Sequence, residues 1–339
     1  RQKKSQPSKV QLSGSRAIVK RLFITLSLLA LLFATVKILA VPAQKISPPN
    51  SDYLFIIKKG SSFNDVIEKM DSVFNLNSLM WTKIYYKING APNIKAGRYD
   101  LSVSTNFQDL IQRFVEGDVK KYKFTIIEGS VAKQALEKLN NLLIENDFER
   151  ELTASIKNTF SQEAKILPDT YIFSDIEELE NIFINYQDYL KRYLENIWAS
   201  KPKSNPLKSK MEALVLASII EREAVLVSEK SKIASVFLYR LIKGMRLQAD
   251  PTSAYGYYGD YKQRIGRRVL DDNNEYNTYR ISGLPPRPIC FPSKSSIEAA
   301  IKSIPGDYLY FVAKGDGSHE FSKTLEDHNK AVKKFISGK

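Results

Sequence analysis

The chain has 339 residues, of which 43% are hydrophobic and 11% aromatic, and its formal net charge is +14. This composition excludes an intrinsically disordered chain, because it supplies enough apolar surface for a packed core. The single cysteine, Cys290, excludes an intramolecular disulfide. Seven of the basic residues lie in residues 1–21, which contain no acid, so the remaining surplus is mild and does not require a nucleic-acid partner.

Residues 22–41 form a 20-residue apolar stretch (LFITLSLLALLFATVKILAV) with one charge, Lys37. A helix of this length spans about 30 Å, the thickness of a membrane core. Because the basic residues precede it, we expect a cytoplasmic tail (1–21), an uncleaved transmembrane anchor (22–41) and an external remainder. A cleaved signal peptide is the alternative, although residues 40–43 offer no clear cleavage site. Residues 42–52, rich in proline and serine, are predicted to be a linker.

The next 70 residues or so, 53–122, have the pattern of a small α/β unit. Hydrophobic spacing and capping residues predict a strand over 53–57, a helix capped by Ser61 or Ser62, a helix over 76–89, a strand within 94–101, and a helix that begins at Ser104 or Thr105 and ends at Gly117. From the pattern alone, a carbohydrate-binding module and a purely structural subdomain are equally consistent.

Residues 123–339 are predicted to be mostly helical with a few strands. The expected elements are a strand over 123–129, helices over 131–146, 148–158, 177–198, 208–224 and 228–243, a strand over 307–314 and a closing helix over 325–336. With helices segregated from strands, the predicted fold class is α+β.

Carboxylates are the strongest candidates for chemistry, because motifs for a serine or zinc hydrolase are missing from the sequence. The helix from Met211 to Ile220 is apolar on all sides and ends in Glu221. A carboxyl in such a dry place has a raised pKa, as a general acid needs. The alternative is a helix-end salt bridge of Glu221 with Arg222 or Lys210. Glu223 lies about 200° further round the helix, so the two carboxyls cannot converge from it.

Two further segments, 247–256 and 276–289, are predicted to be polar loops that hold sugar hydroxyls on aromatic platforms. The two histidines, His319 and His328, are expected to form hydrogen bonds rather than to bind a metal. Cys290 is expected to be an incidental buried thiol. We expect no metal and no cofactor.

Five ordered motifs over 214–333 closely resemble the endolytic murein transglycosylases (the MltG or YceG-like family). They are ASIIERE, GMRLQADPTSAYG, YNTYRISGLPPRPI, YLYFVAKGDGSHEF and HNKAV. The resemblance continues upstream through KAGRYDL, EGDVKKYKFTIIEG and EAKILPDTYIF, and includes the apolar stretch. This sequence departs from the family pattern at Ala164, Lys165, Arg287, Cys290 and Phe291, which affects loop shape and substrate preference rather than the reaction.

The resemblance implies a single-pass inner-membrane enzyme with a cytoplasmic N-terminus, a LysM-like subdomain (53–122) and a periplasmic catalytic transglycosylase domain (123–339). It implies Glu221 as the catalytic acid and base, and peptidoglycan glycan strands as substrate. It also implies penicillin-binding peptidoglycan synthases as partners. The residues expected to bind sugar are Gln248, Asp250, Thr252, Tyr255, Tyr276, Asn277, Thr278 and Tyr279.

The implied reaction cleaves the β-1,4 bond between N-acetylmuramic acid and N-acetylglucosamine and closes a 1,6-anhydro ring, which ends strand growth. One carboxyl suffices, because the sugar's own 6-hydroxyl replaces water. Three alternatives stay open: a lysozyme-type hydrolase with Glu223 or Asp250 as second carboxylate, a non-catalytic peptidoglycan-binding scaffold, and a nucleic-acid-binding protein, which the anchor disfavours.

Overall fold

The computed structural model describes residues 9–76, 79–103, 105–148, 152–261 and 263–336. The chain divides into two compact units, Arg1–Lys121 and Tyr122–Lys339, each with its own core. Both contain helices and short antiparallel strand pairs, so the predicted α+β class is confirmed.

Helix α1 (Lys9–Leu39) contains all but the last two residues of the predicted span, 22–41. From Arg16 to Leu39 it is long and apolar enough to cross a membrane, and the protein itself buries none of this stretch. The helix ends two residues before the predicted boundary. Val41 leaves it and is 4% exposed in the core of the first unit, which explains the earlier end.

The first unit continues with two strand pairs and three helices. In chain order its elements are β1 (Lys45–Ile46), β2 (Leu54–Ile57), α2 (Phe63–Phe74), α3 (Leu79–Asn89), β3 (Gly97–Asp100), β4 (Thr105–Asn106) and α4 (Phe107–Glu116). Strand β1 pairs with β4, and β2 pairs with β3, both antiparallel.

Local capping chemistry fixes the helix starts of this unit. Ser62, one of the two predicted cap residues, caps α2 and forms a capping box with Asp65. Helix α4 is capped by Asn106, so its predicted start at Thr105 is wrong, because Thr105 belongs to β4. The alternative start, Ser104, lies outside the described residues. Gly117 ends α4 with a φ of 76°, as expected of a left-handed cap.

The second unit is mainly helical. Its elements are β5 (Tyr122–Thr125), α5 (Ala132–Glu145), α6 (Ala154–Thr159), β6 (Thr170–Phe173), α7 (Ile176–Trp198), α8 (Lys210–Glu223), α9 (Lys230–Ile242), α10 (Asp250–Tyr258), α11 (Arg267–Asp271), α12 (Lys294–Lys302), β7 (Tyr310–Ala313), β8 (His319–Ser322) and α13 (Leu325–Phe335). Strands β5 and β6 pair antiparallel, as do β7 and β8.

Two apolar clusters form the core of this unit. One surrounds α8, which packs against α9 and α12, and the other joins β5, β6, α5 and α7. Phe291 enters the second cluster, and its backbone exchanges two hydrogen bonds with the segment before α5: Gly129 N to Phe291 O and Phe291 N to Ser130 O, both 2.9 Å. This bridge fixes the loop before α12 next to the start of α5.

Three helices near the C-terminus were not predicted. The expected polar loop over 247–256 is wrong from Asp250 onward, because Asp250–Tyr258 form α10 with Pro251 in its first turn. Helices α11 and α12 were also missed. Residues 149–151, where the helix predicted over 148–158 would begin, lie outside the described residues, and the described helix starts at Ala154.

Candidate active site

The last turn of α8 carries three consecutive charged residues, Glu221, Arg222 and Glu223. Every residue from Ala213 to Ile220 is buried, so the helix is enclosed by protein until this turn. The predicted buried helix is therefore confirmed. Its charged end is the only part of α8 within 213–223 that can meet a ligand.

The carboxyl group of Glu221 is buried and has both hydrogen-bond donors and a cation around it. Its Oε2 accepts hydrogen bonds from the Ser293 backbone nitrogen (2.9 Å), the Ser293 hydroxyl (2.5 Å) and the Ser296 hydroxyl (2.6 Å). The Lys230 ammonium, which is 4% exposed, lies 3.1 Å from the same oxygen. Ser293 caps α12, so Glu221 also lies at the positive end of that helix.

These contacts keep Glu221 ionised. Burial alone would raise its pKa, but the hydrogen bonds from Ser293 and Ser296 and the charge of Lys230 outweigh burial, and the pKa is lowered from 4.5. A general acid must instead hold a proton near neutral pH. The surroundings of Glu221 thus fit the salt-bridge alternative better than the predicted catalytic role. The partner is Lys230, whereas Lys210 pairs with Glu195.

Glu223 has the opposite environment. It is half-buried, and its carboxyl forms no hydrogen bond or ion pair with the described residues. Burial, reinforced by the negative charge of Asp250, raises the pKa of Glu223 to about 8, against a smaller opposing effect of Arg240 and Arg222. A carboxyl with this pKa is protonated at neutral pH. Glu223 therefore has the property that the sequence prediction assigned to Glu221.

Asp250 and Tyr279 form a polar pair beside Glu223. The Tyr279 hydroxyl donates to Asp250 Oδ1 at 2.6 Å, and burial together with this carboxylate raises the tyrosine pKa. Arg240, whose charge acts on Tyr279, is buried, with Nε donating to Leu309 O and Nη1 to Leu247 O, both at 2.7 Å. The structure thus brings two predicted site residues together with Glu223.

Three other predicted sugar-binding residues are buried and bonded within the protein. The Thr278 hydroxyl accepts from the Ala249 nitrogen (2.9 Å) and pairs with the Thr252 hydroxyl (2.8 Å). Asn277 donates to Asp272 O (2.6 Å) and accepts from the Ser253 hydroxyl (2.7 Å). Their polar groups therefore hold the 276–279 loop against the start of α10 and do not point at a ligand.

The last three predicted residues lie at or near the surface. Gln248 is exposed, in the left-handed region with a φ of 50°, which turns the chain into α10. Tyr255 and Tyr276 are half-buried and pack together at 5.1 Å between ring centroids. The Tyr255 hydroxyl donates to Glu163 Oε1 at 3.1 Å, so this tyrosine has an internal partner.

Sequence reasoning missed Glu163, Lys230 and Arg240. Arg240 carried a usable signal, since it interrupts the apolar run of α9 and a buried cation there must have partners. Lys230, at the first position of α9, and Glu163, in the segment before β6, carried none. Their partners are distant in sequence: Lys230 contacts Ser293, 63 residues away, and Glu163 contacts Tyr255, 92 residues away.

The histidines and the cysteine have structural surroundings. His319 Nδ1 lies 2.7 Å from Glu229 Oε2, as expected of a hydrogen-bonded histidine. The ring of His328 stacks on Tyr310 at 5.1 Å, but its buried Nδ1 has no hydrogen-bond partner among the described residues, so the expected hydrogen bond is not formed at this nitrogen. Cys290 is fully buried, which raises its thiol pKa well above the ordinary value. Within the part of the chain that the structure describes, three or more His, Cys, Asp or Glu side chains nowhere gather to form a metal site.

A protein of Bacillus subtilis (strain 168) named endolytic murein transglycosylase is 34% identical over 310 residues, which cover 84% of each chain. A protein of the same name from Streptococcus pneumoniae (strain ATCC BAA-255 / R6) is 25% identical, and the match covers 84% of this chain and 58% of that one.

A crystal structure of a YceG-like protein from Listeria monocytogenes also resembles this fold. It shares 30% sequence identity, with a TM-score of 0.52, and the match covers 83% of this chain and 99% of that one. Residues 55–334 match the YceG-like family, which is most of the chain. Together with the Bacillus relative, this match shows that the chain belongs to the YceG-like family.

Proposed function

We propose that the chain is an endolytic peptidoglycan transglycosylase with Glu223 as its acid and base. The relatives named endolytic murein transglycosylase support the reaction class. The single observation that carries the assignment of the acid is the raised pKa of Glu223, about 8, in a carboxyl without hydrogen-bond partners among the described residues. Glu223 thus takes the role that the sequence prediction gave to Glu221.

The proposed reaction breaks the β-1,4 bond between N-acetylmuramic acid and N-acetylglucosamine. The proton of Glu223 passes to the glycosidic oxygen as the bond to the muramyl C1 breaks. The resulting carboxylate then takes the proton of the muramyl 6-hydroxyl, whose oxygen bonds to C1 and closes a 1,6-anhydro ring. Glu223 is restored to its protonated form, so one carboxyl completes the cycle.

Asp250 has two proposed roles beside the acid. Its negative charge favours the protonated form of Glu223. The same charge stabilises the positive charge that develops on the sugar ring as the bond breaks. Tyr279 holds this carboxylate through its 2.6 Å hydrogen bond. The exposed side chain of Gln248 and the half-buried ring of Tyr276 are proposed to contact the sugars.

The position of Asp250 also favours a second candidate, a lysozyme-type hydrolase. A hydrolase needs a second carboxylate to activate water or to form a covalent intermediate. Asp250 is exposed and close enough to raise the pKa of Glu223. The two functions differ in their products: a transglycosylase leaves an anhydro end, and a hydrolase leaves a reducing end that is heavier by one water.

The cellular setting is part of the same proposal. Helix α1 would anchor the chain in the inner membrane with its basic end in the cytoplasm. Residues 53–122, as a LysM-like module, would bind glycan strands for the catalytic domain (123–339) in the periplasm. Cleavage of nascent strands beside peptidoglycan synthases would end their growth.

The test is to incubate the full-length chain in detergent with purified glycan strands and to weigh the products. We expect ends that are lighter than reducing ends by one water. Glu223→Gln should lower kcat by about 10²- to 10⁴-fold, the usual contribution of general acid–base catalysis.

Glu221→Gln is the matched comparison, two positions away on the same helix. It should keep measurable turnover, with part of its loss due to lower stability. If Glu223→Gln is active and Glu221→Gln is folded but inactive, the role of acid and base belongs to Glu221. Reducing ends would instead favour the hydrolase.

A further inference from the structure

Glu163 is a half-buried carboxyl group that the proposed reaction does not use. Its Oε2 accepts a hydrogen bond from the Ala132 backbone nitrogen at 2.6 Å, and its Oε1 accepts one from the Tyr255 hydroxyl at 3.1 Å. Ala132 is the first residue of α5, whose cap residue Val131 supplies no side-chain hydrogen bond. Glu163 therefore caps α5 from outside and ties it to α10.

The backbone next to Glu163 is unusual. Ala164 has a φ of 57°, in the left-handed region that non-glycine residues rarely adopt, and it is only 4% exposed. Such a conformation persists only where surrounding contacts require it, and it often marks functional positions. Here it belongs to the turn from which the Glu163 side chain reaches both partners.

A chain of contacts leads from Glu163 to the proposed acid. The Tyr255 ring lies 6.3 Å from that of Tyr261, and the guanidinium of Arg222 lies over Tyr261 at 3.9 Å. Arg222 precedes Glu223, and its Nη1 donates to Gly129 O at 3.3 Å. Since Gly129 is three residues before Ala132, these contacts form a closed ring around one side of the α8 end.

We infer that Glu163 is a positioning residue for the cleavage reaction, because its carboxylate fixes Tyr255. Through the neighbouring rings of Tyr255 and Tyr261 it also fixes Arg222 and the adjacent Glu223. The inference rests on the proposed function of Glu223. As a carboxylate, Glu163 accepts the Tyr255 hydrogen. When protonated with Oε2 still bound to Ala132, it carries the proton on Oε1, so the bond to Tyr255 must reverse direction.

This reversal is expected near neutral pH. Burial raises the pKa of Glu163 to about 7, against the smaller effects of the two hydrogen bonds. The titratable groups that face it are Tyr255, Tyr261, Tyr276 and Cys290, whose own pKa values are all raised, first by burial. They therefore stay neutral while Glu163 titrates, and kcat should rise as Glu163 ionises and fall as Glu223 ionises.

The test is the pH profile of kcat for the full-length chain in detergent on purified glycan strands. Glu163→Gln places an amide N–H opposite Tyr255, which copies the protonated carboxyl at every pH. We expect this variant to lose the acidic limb, to keep the alkaline limb of Glu223, and to be about tenfold slower near pH 7.5. Tyr255→Phe removes the same bond and should do the same, and the double variant should lose no more.

Glu298→Gln is the control, because Glu298 also accepts a tyrosine hydroxyl, that of Tyr193 at 3.2 Å, away from α10. It should leave both limbs unchanged. An acidic limb that persists in both Glu163→Gln and Tyr255→Phe overturns the inference. An equal loss of kcat at all pH values also overturns it, because that result shows a purely structural role for Glu163.

A readout without substrate separates this inference from the proposed function. The NMR signal of the labelled Tyr255 ring, assigned with Tyr255→Phe, should titrate near pH 7 in the wild type and stay constant in Glu163→Gln. A signal without this titration contradicts the inference even if the enzyme cleaves. Titration in a wild type that cleaves nothing contradicts the proposed function alone.

Discussion

Two carboxyl groups at the end of α8, separated by one residue, have pKa values shifted in opposite directions. The pKa of Glu221 is lowered because its hydrogen-bond donors and the charge of Lys230 outweigh its burial. The pKa of Glu223 is raised to about 8 because burial and the negative charge of Asp250 act together. Their positions on opposite sides of the helix explain the difference, since one side faces α12 and the other faces α10. The helical spacing therefore places the two carboxyl groups in different environments.

The buried ion pair of Glu221 allows a stability prediction. Removing one partner of such a pair leaves an uncompensated charge and costs about 3–5 kcal/mol. We expect Lys230→Met to lower the free energy of unfolding of the second unit by this amount at pH 7, measured by urea denaturation. Because the folded-state pKa of Glu221 is lowered, its ionisation stabilises the wild type above about pH 4.5, and this contribution is lost as the pH falls.

Lys302→Met is the matched control for this prediction. Lys302 pairs with Glu298 at 3.4 Å, but both side chains are about half exposed. Such surface pairs contribute between about 0 and 1 kcal/mol, so the control should be nearly neutral. Equal effects of the two substitutions would show that the Lys230 pair is not a buried, saturated contact.

At the scale of elements, the start of α10 is held by the loop that follows α11. Thr278 and Thr252 join the two segments through buried hydroxyls, and Tyr279 in the same loop holds Asp250. Residues predicted to bind sugar thus act indirectly, because they place the carboxylate that raises the pKa of Glu223. A small displacement of this loop should therefore alter the acid as well as the binding surface.

Thr278→Val tests this coupling. The change leaves the buried Ala249 nitrogen without its acceptor, which costs about 1–3 kcal/mol. We expect this loss in thermal unfolding, and the alkaline limb of the kcat profile should shift to lower pH as Asp250 moves away from Glu223. Thr125→Val is the control, since the Thr125 hydroxyl pairs with Thr170 at an exposed site. An unshifted limb in a destabilised Thr278→Val enzyme would contradict the coupling.

Helices with regular apolar spacing were predictable, and contacts between distant segments were not. Helices α5, α7, α8, α9 and α13 were placed close to their observed ranges. Helices α5, α7 and α13 have an apolar face at helical spacing, and α8 and α9 contain long apolar runs. Helix α10 was missed because Pro251 and Gly256 suggest a loop, yet proline fits a first helical turn. The environment of Glu221 could not be predicted, because its hydrogen-bond donors Ser293 and Ser296 lie 72 and 75 residues away.

At the scale of the whole molecule, each unit holds a complete core. The apolar cluster of the first unit lies within residues 41–119, and both clusters of the second lie within 122–301, with further packing from Phe311 and Phe321. Each residue in the contacts proposed for catalysis also belongs to Tyr122–Lys339. We therefore expect that folding and chemistry of the second unit need no residue from the first.

The fragment Tyr122–Lys339 should accordingly fold alone and keep the kcat of the full chain on soluble glycan strands. The measurement is a cooperative thermal transition by circular dichroism, followed by the cleavage assay. If residues 53–122 bind glycan, KM should rise while kcat is kept. The Glu223→Gln form of the same fragment is the control for activity. A fragment with helical signal but without a cooperative transition would contradict independent folding.

The backbone bridge between Gly129, Ser130 and Phe291 has a consequence for biosynthesis. Its two hydrogen bonds close a loop of about 160 residues. Loops of this length close late in folding, because the entropic cost of closure must be met before the new contacts stabilise the chain. During translation α8 emerges well before Ser293 and Ser296, so Glu221 lacks these hydrogen-bond donors until residue 296 has been synthesised. Lys230 follows Glu221 by only nine residues, so this ion pair can form before those hydrogen bonds do.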